Sequence, residues 1–334
     1  MSRRATPPCA TAQRGAALLA AMLTVTLVAT LAAAAAWQQW REIEVERSER
    51  VRVQASWLLT GALDWSRLIL REDGLNGGPD YLSEPWAVPL QESKLSSFLA
   101  GNNQPVSDPS QDLENAFLSG AITDQQGLLN VTNLLLSSGG INPSAHQAFV
   151  KLFGILGLPA QELSSLEQNL LNTQTSSPSP NAVIAPQRWA ELINLGLGPN
   201  TLNVLSDYAT ILPTTTTLNL NTAPALVIQA AIPGIDLASA QNLVNHRTTS
   251  PFYNLSDAQK WLGNFGTAIN STDHGVSSQY FQVLGRLRWD NTVIQETSLV
   301  WRSGSSVSTL WRVRGSQGPS PSLSTIGPFS APHS

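Results

Sequence analysis

The stretch Arg14-Gly15-Ala16-Ala17-Leu18-Leu19-Ala20 opens an apolar run that continues through Met22, Leu23, Val25, Leu27, Val28 and Leu31 to Trp37. Arg3, Arg4 and Arg14 precede roughly 22 residues without a formal charge, and at about 1.5 Å of rise per residue a helix of that length matches the hydrocarbon thickness of a bilayer. Basic residues stay on the cytoplasmic side, so everything after Trp40 is expected across the membrane. An ordinary secretory signal has the same ingredients, with Ala32 to Ala36 as the small-residue cleavage region. Against it, the run passes into the charged, helix-favouring stretch Trp40 to Val53, which holds neither Pro nor Gly. One continuous helix leaving the membrane is the expectation.

Outward from there the helical period persists. Charges are dense to Arg52. Ala55, Leu58, Leu59, Ala62, Leu63, Trp65 and Ile69 then recur at spacings of three and four, an apolar stripe that needs a partner. Asp73-Gly74 and Asn76-Gly77-Gly78-Pro79 end the helix. Tyr81 to Pro89 is too rich in proline for a central strand. Ala116 to Thr123 alternates as a strand, with a turn at Asp124 to Gly127; Leu128 to Leu136 fits a second strand or a helix equally well.

Between Asn142 and Leu262 the pattern is a series of short helices. Asn142 is an N-cap with Pro143 at the first position, and Gly157 followed by Pro159 is a stop. Pro186 opens another helix that Gly196 closes, and Ser256 to Gln259 has a capping-box pattern before Trp261. Asn172 to Pro186 is expected to be a loop. The period changes again at Phe281, Val283, Leu287 and Trp289, with a turn at Asp290-Asn291. Val293 to Arg302 and Val307 to Arg314 follow, joined at Ser303-Gly304-Ser305-Ser306 as an antiparallel meander. Strands that flank so long a helical block suggest an insertion into one sheet.

The chain has 334 residues, a net charge of -4 and only 13% charged residues. That balance argues against a dedicated nucleic-acid binder, which needs a basic surface. The single cysteine, Cys9, precedes the apolar run, so the remainder has neither a disulfide framework nor a thiolate metal site. His146, His246, His274 and His333 show no metal-ligand spacing and are expected at the surface or at caps. Asp64, Glu72 and Asp73 are expected to be solvated or helix-end charges. No nucleophile with a base, carboxylate pair or phosphate loop has informative spacing, so the function is expected to be non-enzymatic.

Leu218 to Pro224, the apolar helix ending at Ile232, the turn Pro233-Gly234-Ile235-Asp236 and the helix from Leu237 to Arg247 resemble a helix-hairpin-helix element. In DNA-binding versions the hairpin amides approach a phosphate. Asp236 stands where a second glycine is usual, and Arg247 is the only nearby cation beside Gln241, Asn242 and Asn245. A structural hairpin is the better reading.

Arg14-Gly15-Ala16-Ala17-Leu18-Leu19 resembles the leader junction of type IV pilins and pseudopilins. The resemblance implies cleavage between Gly15 and Ala16 by a prepilin peptidase and N-methylation of Ala16. Ala20 stands where most members carry a glutamate, whose carboxylate pairs with the N-terminus of the subunit ahead; a subunit with nothing ahead has no such partner. With Glu84-Pro85-Trp86-Ala87-Val88-Pro89, Ile122-Thr123-Asp124 to Leu129-Asn130, Asn219-Leu220-Asn221-Thr222-Ala223 and Tyr280-Phe281-Gln282-Val283, the chain resembles the K-type minor pseudopilins of type II secretion systems.

The resemblance implies an α+β, type IV pilin-like fold: a long N-terminal helix on an antiparallel sheet, with a large inserted all-α domain that contains the helix-hairpin-helix (SAM-like) element. The expected division is leader 1–15, transmembrane segment 16–37, periplasmic helix 38–72, first part of the core 73–137, insert 138–272, closing strands 273–315 and a disordered tail 316–334. It further implies a tip subunit of the pseudopilus, single-pass in a bacterial inner membrane with a periplasmic head. I-type and J-type minor pseudopilins, the prepilin peptidase and the inner-membrane assembly platform are the implied partners, and no nucleic acid. Relatives often bind calcium in the α-domain. The corresponding stretch, Ser164 to Pro186, offers Glu167 as its one carboxylate, so no cofactor and no confident metal site is expected. A membrane-anchored nucleic-acid binder of the competence or pilus type is the alternative.

Overall fold

The computed structural model describes residues 14–97, 116–174, 185–289 and 292–317. The expected leader up to residue 13, the turn at Asp290-Asn291, residues 175–184 of the expected loop and the tail from residue 318 lie outside these. The chain divides into two compact units, Met1–Leu58 and Leu59–Ser334.

The first unit is the N-terminal part of helix α1 (Arg14–Asn76). From Ala16 the helix is long and apolar enough to cross a membrane. Its polar side chains there are satisfied internally: the Thr24, Thr26 and Thr30 hydroxyls donate to carbonyls three residues back at 2.9, 2.9 and 2.8 Å. Lipid offers no partners, so a spanning helix has to satisfy such groups itself. Trp37 and Trp40, with ring centroids 5.4 Å apart, mark the end of the apolar run, where amphipathic rings suit a membrane–water boundary. Beyond them charged pairs such as Arg50 with Glu46, four residues apart, replace apolar side chains.

The second unit carries a five-stranded antiparallel sheet in the order β1-β2-β7-β8-β9. Its strands are β1 (Leu90–Lys94), β2 (Ala116–Asp124), β7 (Tyr280–Trp289), β8 (Thr292–Ser303) and β9 (Ser306–Gln317). β2 and β7 pair from Ala116 opposite Trp289 to Asp124 opposite Phe281, although the whole helical block separates them in sequence. The early and late strands therefore share one sheet. β8 and β9 close on Gly304, whose φ of 56° suits the tight turn of a twisted hairpin. Ser316 and Gln317, expected in the tail, extend β9, because pairing opposite Ile294 and Val293 satisfies their backbone.

From Leu59 onward α1 packs on this sheet. Leu63 and Leu70 are buried against Phe281, Val283, Val300, Val307 and Trp86. Trp65, expected on this stripe, is instead 43% exposed. Gly285 faces the helix: a Cβ there would stand 3.2 Å from Leu59 Cδ2. Glu84 to Pro89 contributes a 3-10 turn (Pro85–Ala87) that buries Trp86.

Between β2 and β7 the chain builds the helical insert. Its strands are short: β3 (Leu129–Asn130) pairs with β4 (Ala209–Thr210), and β5 (Leu218–Asn219) with β6 (His274–Gly275), both parallel. Leu128 to Leu136 thus resolves into β3 and a 3-10 turn (Val131–Leu134). The helices are α2 (Pro143–Leu156), α3 (Ala160–Gln174), α4 (Pro199–Leu205), α5 (Ala225–Ala231), α6 (Leu237–Thr249) and α7 (Leu255–Leu262). Phe149, Leu152, Phe153, Leu166, Val227 and Leu243 lie in its separate apolar core. Asn142 caps α2 through Ser144 N, and Gly157 ends it, as expected. Two ends differ from expectation. The helix expected from Pro186 is a 3-10 segment (Trp189–Leu195) opened by Glu191, which accepts from Gln187 N at 2.8 Å. The cap of α7 is Asn254, accepting from Asp257 N at 3.0 Å, so Ser256 lies inside the helix; Asn254 sits two residues earlier and already satisfies the free amide.

Candidate functional site

Four of the stretches that carried the resemblance, at Glu84 to Trp86, Asp124, Asn219 to Thr222 and Phe281, come together where the insert leaves and re-enters the sheet. Asp124 ends β2, and Gly127 follows in the next turn. A Cβ on Gly127 would stand 2.8 Å from Thr222 Oγ1, so only glycine lets the two segments approach this closely. Asn219, Asn221 and Thr222 are buried in the segment that enters the hairpin.

Asp124 accepts from Thr222 Oγ1 at 2.6 Å, Ser278 Oγ at 2.6 Å, Asn219 Nδ2 at 3.0 Å and Gln126 N at 2.8 Å. The same Asn219 amide lies 3.1 Å from Asp80 O, tying in the loop after α1. Asp80 accepts from Ser278 N at 2.6 Å and from Arg302 Nη2 at 2.5 Å. Arg302 also pairs with Asp73 at the end of α1, donates to Ser278 O at 2.8 Å and stands 4.7 Å over the Phe281 ring. Asp73, expected to be a solvated or helix-end charge, does lie in the last turn of α1, and it is half of a largely buried ion pair; the distant Arg302 that recruits it is invisible to local pattern.

Glu84 accepts from Trp86 Nε1 at 2.7 Å and from Tyr81 N at 2.9 Å, which orients Trp86 edge-on to Phe281 with centroids 5.1 Å apart. Asn221 closes the other side: Phe252 N donates to its Oδ1 and its Nδ2 donates to Phe252 O, both at 2.9 Å. The side chain thereby takes the place of a paired backbone.

Burial dominates the electrostatics. It pushes Asp80 up to about 7, with the Arg302 charge opposing and the Asp124 charge adding to the rise. Asp124 is pushed upward by burial in spite of its four donors, and Glu84 upward as well. Asp73, Asp80 and Glu84 each bring an oxygen within 4.8 Å of the others. Arg302 pairs with two of the three, and Tyr81 N and Trp86 Nε1 donate to the third, so each carboxylate already has donors from within the chain.

Of the stretch Ser164 to Pro186, residues 164–174 lie in α3 and 175–184 lie outside the described residues; Glu167 and His146 Nδ1 are hydrogen-bonded across 2.7 Å, and Ser164 donates to Ala160 O. These residues do not supply the six to eight oxygens that calcium takes. His246 stacks on Trp261 with centroids 4.8 Å apart. His274 departs from the surface expectation: it is 3% exposed in β6, takes a 3.4 Å bond from Asn270 N on Nδ1, and is held below its usual pKa by burial. His333 lies outside the described residues.

In the hairpin, Asp236 caps α6 by accepting from Ser239 N at 2.8 Å, and the side chain and backbone of Ser239 together lower its pKa. Arg247 is buried, donates to Leu220 O at 2.5 Å, and is pulled down to about 10 by desolvation. The single cation of the hairpin is therefore used inside the protein and is withheld from any phosphate.

Gly15, Ala16 and Ala20 fall in the first turns of α1. Ala16 and Ala20 are exposed. Sequence reasoning missed Asp80, Ser278 and Arg302, which belong to no motif and meet only through the fold.

A family model described as Type II secretion system (T2SS), protein K matches residues 218–277. Type II secretion system protein K of Pseudomonas aeruginosa is 26% identical over 326 residues, covering 90% of this chain and 89% of that protein. Among solved structures, a chain of the GspK-GspI-GspJ complex from enterotoxigenic Escherichia coli superposes with a TM-score of 0.63 at 19% identity, covering 80% of this chain and 98% of that one. The fold is a pilin-like α+β fold: a long N-terminal helix, an antiparallel sheet and a helical insert. The chain is thus similar to Type II secretion system protein K, over most of its length in sequence and in fold.

Proposed function

We propose that this chain is the tip subunit of a type II secretion pseudopilus, initiating and capping the filament and acting through surfaces rather than catalysis. One observation carries the reading. The stretches Glu84 to Trp86, Asp124, Asn219 to Thr222 and Phe281 meet in one buried junction that fixes a helical insert to a pilin-like sheet. An insert of this size obstructs neighbours stacked along a thin filament and is tolerated at an end. Ala20 agrees, because an end subunit has no N-terminal ammonium ahead of it to pair with a buried carboxylate.

On this reading the prepilin peptidase cleaves between Gly15 and Ala16 and methylates Ala16. The helix from Ala16 anchors the protein in the bacterial inner membrane, with the head in the periplasm and the assembly platform beside the anchor. The solved complex joins a K-type chain to GspI and GspJ; the corresponding I-type and J-type subunits are the proposed partners here. The full chain in detergent, mixed with its I-type and J-type counterparts, is expected to co-purify with both. Retention of neither overturns the proposal.

Nucleic-acid binding is the second reading, and burial of Arg247 together with the exposed Asp236 counts against it. Retention of the full chain on DNA at low salt would restore it.

A further inference from the structure

The two edges of the five-stranded sheet are unlike. β1 is short, breaks register between Leu90 and Ser93, and carries the charged Glu92 and Lys94, all of which blunt an edge against further pairing. β9, the opposite edge, runs for 12 residues without a proline. Its first part is guarded. Arg67 of α1 donates from Nη2 and Nε to Val307 O at 2.6 and 3.1 Å, and a bulge at Leu310 interrupts the pairing with β8. From Trp311 to Gln317 the pairing is regular again, opposite Leu299 to Val293, and the far side of that stretch borders no strand among the described residues.

Side chains of this stretch sort by face, as the alternation of a strand requires. Arg312 and Arg314 lie on the side of α1, whereas Trp311 packs on the other side against the cluster of Leu212, Tyr280 and Leu299, and the exposed Val313 shares that side. Arg314 Nε donates to Glu296 Oε2 at 2.9 Å. Arg312 is held more loosely: its Nη1 is 3.3 Å from Thr60 Oγ1, and its Nε lies 3.2 Å from Glu296 Oε1, an atom that accepts no hydrogen bond. The edge therefore offers a row of backbone groups, an exposed guanidinium on one side and apolar surface on the other.

We propose that residues 311–317 of β9 are a docking edge for an extended segment of a partner protein, which adds as a further strand and alternates acidic residues facing Arg312 and Arg314 with apolar residues facing Trp311 and Val313. In strand addition the main chain supplies affinity and the alternate side chains supply choice. Charge selects this occupant. Antiparallel pairing with a second copy, centred on Val313, would set Arg312 opposite Arg314, and like charges directly opposite destabilise a strand pair. Carboxylates at alternate positions instead meet the guanidiniums in charge-assisted hydrogen bonds. The inference concerns the sheet alone and stands whether or not the chain occupies a filament tip.

The test uses the full chain in detergent at low salt and two short synthetic peptides, one alternating glutamate with valine and the other lysine with valine. The acidic peptide is expected to bind with a Kd at or below about 1 mM, and at least about tenfold more tightly than the basic one. At saturation it is expected to slow amide exchange in residues 311–317 at least about tenfold while β1 stays unchanged. Arg312→Gln is expected to narrow the difference between the peptides. Failure of the acidic peptide to bind, equal binding of both peptides, or unchanged exchange in residues 311–317 overturns the proposal, and these readouts on the unaltered chain decide it even if the variant does not fold. Protection of residues 311–317 that grows with protein concentration in the absence of peptide assigns the edge to a second copy and also overturns it.

Discussion

Asp124 takes four hydrogen bonds from a hydroxyl pair, a side-chain amide and a backbone amide, and no salt bridge reaches it among the described residues. Neutral donors at short range thus replace a counter-ion. Removing one leaves a buried acceptor short, so Asn219→Ala is expected to destabilise the head by about 2–4 kcal/mol, since that side chain also binds Asp80 O. Chemical denaturation measures this, and a loss under about 0.5 kcal/mol, the size of an ordinary surface change, would mean that the junction does not hold the fold. At the other end of the chain, Ala20→Glu places a carboxylate in the membrane segment. Reduced pseudopilus assembly is expected, scored by secretion of a type II substrate; undiminished secretion leaves the charge argument without support.

The elements divide into those that local pattern reveals and those that only tertiary contact defines. Helix α1, the cap at Asn142, the stop at Gly157 and the closing hairpin at Gly304 were legible because each rests on a period or a cap within a few residues. Trp65 shows the limit: it fits the apolar spacing of Leu59 and Leu63, yet lies 43% exposed, because the sheet covers only part of the helix circumference. The Arg302 partner of Asp73 and the burial of His274 escape local pattern for a related reason, as the one lies far away in sequence and the other in a short parallel pairing that no periodicity marks. Among the junction residues, Asn219, Thr222 and Asp124 belonged to recognisable stretches, whereas Asp80, Ser278 and Arg302 did not. The helix–sheet contact can be probed at this scale. Leu63→Ala is expected to cost about 2–5 kcal/mol, as a fully buried leucine does, against less than about 0.5 kcal/mol for the half-exposed Leu68→Ala. Similar losses for both would contradict the packing described.

At the scale of the molecule, the proposed role gives one assembly subunit an apolar helix long enough to span a membrane, a sheet and a helical insert. Calorimetry on the full chain is expected to find weak calcium binding or none, because Glu167 is engaged with His146; micromolar affinity would contradict this. The mature N-terminus is expected at a methylated Ala16, and a terminus downstream of Ala36 would remove the pilin reading. The most direct test concerns position. A small epitope tag on the head, visualised by electron microscopy on isolated pseudopili, is expected at one end of each filament; labels spaced along the filament length would contradict a tip subunit.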